Sequence, residues 1–210
     1  HSVSDPSEEA KRLYVDQLDL PASLERAVQG GTPLVVWDVG MGAGPNAMAF
    51  LRAVEVAMEK VMEKSVSKRE LTSSSAIAAP VIRIESFERD LDSFRLALLH
   101  PYRFRYLQHP GPFAIGREGE WTSECGRFEW KLFEGDFSEM IDAGSRPDIV
   151  LFDPFSTKVD SLLWETEVFR RVLARTVEKP CELFTYSNSN LVRGRLLASG
   201  WYVAKGVGTG

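Results

Sequence analysis

Cysteine is almost missing from this chain. The two present, Cys125 and Cys181, stand far apart and without metal-ligand spacing, which argues against a disulfide framework or a zinc site and for a reducing compartment. Histidine is nearly as scarce, with three. His100 and His109 lack an H-x-x-x-H or Cys partner, so they read as structural or surface residues. No apolar run approaches the roughly 20 residues that span a bilayer, and no membrane role is expected. Positive charge is not in excess either: 25 Lys and Arg against 30 Asp and Glu leave a net charge of −5. Broad nucleic-acid affinity needs Lys and Arg to displace counterions, so a nucleic-acid substrate would require a local basic patch. Nothing at the N-terminus resembles a signal peptide, and a cytoplasmic location is expected. The chain begins at His1 rather than Met and is expected to be incomplete at both ends. Its 210 residues suit one domain with a continuous core.

What is present centres on Leu34-Val35-Val36-Trp37-Asp38-Val39-Gly40-Met41-Gly42-Ala43-Gly44-Pro45-Asn46. A short apolar run ending in glycines reads as a buried strand, a turn and then a helix. Ala47, Phe50, Leu51, Val54, Ala57, Met58, Val61 and Met62 recur at the spacing of one helical face. Gly40, Gly42 and Gly44 leave no Cβ where a ligand must approach the main chain. Their G-x-G-x-G spacing differs from the G-x-G-x-x-G of dinucleotide sites. Asp-x-Gly-x-Gly-x-Gly is similar to the first motif of class I S-adenosylmethionine-dependent methyltransferases, which implies a turn wrapped around the amino-acid end of that cofactor. A plain strand-to-helix turn is the competing reading.

Further along, Asp5-Pro6 marks a helix start, and residues 64–79 read as a surface insertion. A second strand is expected at Pro80–Glu85, a helix at Phe87–His100 and an extra hairpin around Ser123-Glu124-Cys125-Gly126. A strand at Asp148–Asp153, a helix at Leu162–Val177, a strand at Cys181–Tyr186, a helix at Asn190–Ser199 and a last strand at Trp201–Ala204 follow. Alternation of this kind predicts an α/β fold, Rossmann-like, with a doubly wound and mostly parallel sheet and ligands at the strands' C-terminal ends.

Four strand ends then carry acids: Asp38, Glu85 or Glu88, Asp136 and Asp153. A carboxylate after the second strand can accept both hydroxyl protons of a ribose, a role open to Glu85 or Glu88. Asp136 could accept from an adenine amino group. Phe152-Asp153-Pro154-Phe155-Ser156 resembles the Asp-Pro-Pro-Tyr motifs of methyltransferases acting on amines. Methyl transfer needs a neutral amine aimed at the methyl, and Asp153 with the Pro154 carbonyl could hold its N–H groups while Phe155 stacks on the substrate ring. A helix entry capped by Asp153 is the bland alternative.

Several blocks together resemble the methyltransferase domain of the MnmC family, which acts on the wobble uridine of tRNA. They are Ser7-Glu8-Glu9-Ala10 with Tyr14-Val15, the glycine turn from Asp38 to Asn46, Ser86-Phe87-Glu88, Phe133-Glu134-Gly135-Asp136, Asp153-Pro154-Phe155-Ser156 with Leu163-Trp164, Thr185-Tyr186-Ser187, Arg193 and Ser199-Gly200-Trp201. The resemblance implies one methyltransferase domain over residues 1–210, without the family's oxidase domain. It implies S-adenosylmethionine as methyl donor and the 5-aminomethyl group of wobble uridine as acceptor, converted to 5-methylaminomethyl. Asp153, Pro154 and Phe155 would sit at the reacting amine. Asp38, Gly40, Gly42, Gly44, Asn46, Glu88 and Asp136 would hold the cofactor, and Tyr186 and Arg193 the substrate. The partners implied are the tRNA anticodon loop and a separate upstream tRNA-modifying enzyme that supplies the aminomethyl group. Arg103, Arg105, Arg193, Arg195 and Lys205, with Tyr102, Phe104 and Tyr106 interleaved, form a candidate basic patch. An amine methyltransferase with a small-molecule or protein acceptor, or a cofactor-binding module without catalysis, are the alternatives.

Overall fold

Asp5 accepts from Ser7 N at 2.9 Å and so starts the first helix, α1 (Pro6–Ala10), where Pro6 needs no amide partner. The computed structural model describes residues 5–69, 80–177 and 179–207. A π-helical turn, Lys11–Val15, continues α1. Asp19 caps α2 (Leu20–Gly30) in the same way, accepting from Ala22 N at 3.1 Å. Neither the π turn nor α2 is expected from the sequence, although α2 carries the Asp19 cap and a proline in its first turn.

Strand β1 (Leu34–Val39) is buried throughout, as a central strand with both faces covered must be. It leads into α3 (Pro45–Arg69). The insertion expected at 64–79 is corrected at its start, since α3 runs on through Arg69; its other residues, 70–79, lie outside the described residues. β2 (Ile82–Glu88) continues three residues beyond its expected end, because its pairing with β4 holds as far as Glu88 opposite Glu134. The following helix, α4 (Asp92–Leu99), therefore begins later than expected. After α5 (Pro110–Glu118), β3 (Glu120–Thr122) and β4 (Phe128–Glu134) form the expected antiparallel hairpin. α6 (Phe137–Met140), β5 (Ile149–Phe152), α7 (Thr166–Ala174), β6 (Glu182–Thr185) and α8 (Asn190–Ala198) complete the order. The helix expected at Leu162–Val177 is split, since extended backbone at Glu165 (ψ 149°) separates a short 3-10 turn from α7. Trp201–Ala204 has no strand pairing; Trp201 instead folds onto α7, its Nε1 donating to Phe169 O at 3.0 Å.

The sheet order is β3-β4-β2-β1-β5-β6, parallel except for β3. Chain progression reverses at β1, so a crevice opens where β1 and β5 end. Each sheet face carries its own core. One gathers Val36, Phe50, Val54, Ile84 and Phe94 beneath α3 and α4. The other gathers Trp37, Phe87, Phe137, Phe152, Trp164 and Phe169 beneath α6, α7 and α8. In this second core edge-to-face contacts run from Phe87 through Trp37, Phe137 and Phe152 to Trp164. Such pairs add about 0.5–1.5 kcal/mol each beyond area burial, giving the crevice a stiff floor. Among the described residues no helix is long and apolar enough to cross a membrane.

Candidate active site

The glycine turn leaves β1 at Gly40, whose amide donates to Phe87 O at 3.0 Å. Gly40 has φ +79°, and a Cβ there would stand 2.7 Å from Asp153 O and 2.8 Å from Pro154 Cα. Only glycine lets the β1 and β5 turns approach so closely. The turn and Asp153 thus meet at one point on the same end of the sheet. Gly42, with φ +53°, has nothing within 4 Å of its Cβ position, so its main chain faces open space.

Two cavities flank that meeting point. The first, of about 200 Å³, is lined by Gly40, Gly42, Glu88, Asp136, Asp153, Pro154 and Phe155 among others. Glu88 closes its β2 side: Oε2 accepts from Gly42 N at 2.8 Å, and Oε1 from the amides of Arg89 and Asp90 at 2.8 and 3.0 Å. Asp136 caps α6 through Ser138 N at 2.8 Å. Glu85, the other candidate after β2, points the opposite way. It is buried, accepts from Trp37 Nε1 at 3.0 Å and Ser145 N at 2.8 Å, and lines neither cavity.

The second cavity, of about 440 Å³, lies on the α1 side and is lined by Glu9, Tyr14, Asn46, Asp153, Pro154, Phe155 and Tyr186 among others. Asp153, Pro154 and Phe155 are the wall common to both. Asn46 Nδ2 donates to Asp153 Oδ2 at 2.8 Å, fixing the carboxylate's orientation. Burial pushes Asp153 up to about 6, against the lowering effect of its bond with Asn46 and of the Tyr14 hydroxyl near it. Tyr186 donates to Pro154 O at 3.1 Å, and Trp164 Nε1 to Phe155 O at 2.7 Å. The loop backbone is held while the Phe155 ring stays 66% exposed.

Other candidate residues sit elsewhere. Asp38 is fully buried on the α3 side, where Oδ2 accepts from Ser86 at 2.8 Å, and it lines neither cavity. Gly44 begins α3's approach and packs near Phe94. Arg193 is exposed on α8 and bonded to Asn190. Arg195 donates to Glu165 at 2.9 Å and to Trp164 O at 3.2 Å, so its charge is already engaged. The basic patch is divided by the sheet: Phe104 and Tyr106 pack into one core, Val192 and Leu196 into the other. Two cavity-lining residues lie outside the expected site set, although Tyr14 stands in one of the blocks that carry the family resemblance. Tyr14 hides in the unexpected π turn, and Arg89 stands 3.9 Å from both Asp136 and Asp160 across the first cavity.

The family model for S-adenosyl-L-methionine-dependent methyltransferase matches residues 105–210. The chain belongs to that family. Its methyl donor, S-adenosylmethionine, fits what the methyltransferase offers beside β1: bare main chain at Gly42 facing open space, with the Glu88 carboxylate alongside. The methyltransferase is similar to the crystal structure of MNMC2 from Aquifex aeolicus, with a TM-score of 0.59 and 22% identity over 95% of this chain and 57% of that one. It thus spans little more than half the length of that protein. The precorrin-6y C5,15-methyltransferase of Geobacter metallireducens has a TM-score of 0.42 and 16% identity over 86% of this chain and 68% of that one. No curated protein matches the chain.

Proposed function

We propose that the chain is an N-methyltransferase that converts the 5-aminomethyl group of wobble uridine in tRNA to 5-methylaminomethyl. The observation that carries this reading is the Asp153-Pro154-Phe155 wall, which separates a cavity suited to the donor from a wider one open to an acceptor. The resemblance of the Asp153-Pro154-Phe155-Ser156 block and its companions to the MnmC family supports the choice of acceptor. Glu88 is assigned to the donor's ribose, Asp136 to its adenine, and the glycine turn to the amino-acid end, whereas Asn46, expected on the cofactor, lines the wider cavity and orients Asp153.

Bound S-adenosylmethionine supplies an electrophilic methyl group carried on a sulfonium. Asp153 remains largely ionised at neutral pH, accepts an N–H of the amine and later takes its proton. Asn46 keeps the carboxylate from turning away. Phe155, exposed at the rim, offers a face on which a base lifted from the anticodon loop can stack. Tyr186, bonded to Pro154, stands on the substrate side. Because the reaction starts from an aminomethyl group, an upstream tRNA-modifying enzyme must supply it.

Labelled donor with bulk tRNA from cells lacking this modification tests the reading, and methyl incorporation at the wobble uridine is expected. Asp153→Asn is expected to lower kcat by about 10²–10⁴-fold while donor affinity stays within about threefold. Unchanged turnover removes the role assigned to Asp153. Methyl transfer to a small-molecule or protein amine, with none to tRNA, replaces the substrate reading with that alternative.

A further inference from the structure

The groups that the Asp153-Pro154 turn offers to an amine are partly taken. Asn46 donates to Asp153 Oδ2 and Tyr186 to Pro154 O. Tyr14 differs. Its side chain is 1% exposed, its hydroxyl has no full hydrogen bond among the described residues, and it lines the wider cavity with Asn46, Asp153 and Tyr186. A buried hydroxyl left unpaired is costly, and a ligand group in that cavity would satisfy it. The π turn that carries Tyr14 is a local departure from α-helix of the kind found often at functional sites.

We propose that Tyr14 is a catalytic residue of the acceptor site: its hydroxyl donates to the Asp153 carboxylate and accepts one N–H of a primary amine, so that the enzyme stops after a single methylation. The inference rests on the amine-methyltransferase reading above. A neutral primary amine has two N–H donors and one lone pair. Tyr14 Oη holds one N–H and Asp153 Oδ1 the other, which leaves the lone pair directed at the donor cavity. That lone pair becomes the new N–C bond, the C–S electron pair stays on sulfur, and the resulting secondary ammonium passes one proton to Asp153 and thence to water. The neutral product has one N–H left and cannot satisfy both acceptors. Burial and the Asp153 charge hold Tyr14 protonated throughout, and Tyr14 in turn favours the Asp153 carboxylate.

Tyr14→Phe removes the oxygen and keeps the ring, so its Tm should stay close to that of the parent. With S-adenosylhomocysteine present, binding is measured to two anticodon stem-loops, one carrying 5-aminomethyluridine and one carrying its N-methyl derivative. The parent is expected to prefer the first by about tenfold or more, the scale of one lost hydrogen bond. Y14F should lose most of that preference and yield dimethylated product, which the parent does not. Equal preference in parent and Y14F, or no preference in the parent, overturns the role of Tyr14 and leaves the substrate reading standing. Failure of the parent to bind either stem-loop overturns both.

Discussion

Asp38 lies wholly inside the sheet, with Oδ2 on Ser86 and Oδ1 without a partner among the described residues. Burial is the main cause that lifts it from its ordinary 3.8 to about 7, and the charges of Asp153 and Glu88 add to that. The folded carboxyl holds its proton more tightly than the unfolded one does. The resulting stabilisation is therefore complete below about pH 4 and disappears as pH rises toward 7. Asp38→Asn removes the charge, so unfolding titrations should find the variant more stable at pH 8 by on the order of 1–3 kcal/mol, with no gain at pH 3.5. Asp153 follows the same direction, at the centre proposed for the reaction. Its protonated form cannot take the proton that the amine releases, so kcat should fall about tenfold per pH unit below pH 6. A pH–rate profile of the parent reads that limb. Asp153, Glu88 and Asp136 are legible in the sequence because strand ends in a parallel sheet converge. Whether Glu85 or Glu88 faces the cavity is a matter of strand alternation, and a strand end misplaced by three residues hides it.

The glycine turn makes two demands that can be separated. At Gly40 a Cβ would collide with the Asp153 and Pro154 backbone, whereas at Gly42 the space is open. Gly40→Ala is therefore expected to lower Tm sharply or prevent folding, as backbone on both sides cannot yield. Gly42→Ala carries only the cost of a left-handed φ, about 1–2 kcal/mol. It should fold, yet lose donor affinity by tenfold or more in calorimetric titration, since its methyl enters the space assigned to the donor. Equal behaviour of the two variants contradicts the assignment. At this scale β1, the hairpin, β5 and α8 are readable from apolar period and turn residues. α2 and α5 are not among the expected helices, although Asp19 and His109 cap them and each has a proline in its first turn.

For the molecule as a whole, a donor that binds only the folded state must raise its stability. At 100 times its Kd the gain is about 2.7 kcal/mol, which for a chain of this size corresponds to a rise in Tm of about 5–10 °C. A thermal melt with and without S-adenosylmethionine measures it, and Glu88→Gln should shrink the rise. The sequence by itself determined the alternation of strands and helices, and hence a doubly wound sheet, because apolar period and glycine placement are local properties. It also singled out the glycine turn and the Asp153 motif as candidates for chemistry, through their resemblance to methyltransferase motifs. Only the tertiary structure decided that Gly40 and Asp153 touch, that Asp38 turns inward while Glu88 faces the first cavity, and that Tyr14 lines the wider one. Those relations join residues about 50 to 140 positions apart, and such distances are set by how the sheet pairs and how its two cores fill, which no local pattern encodes.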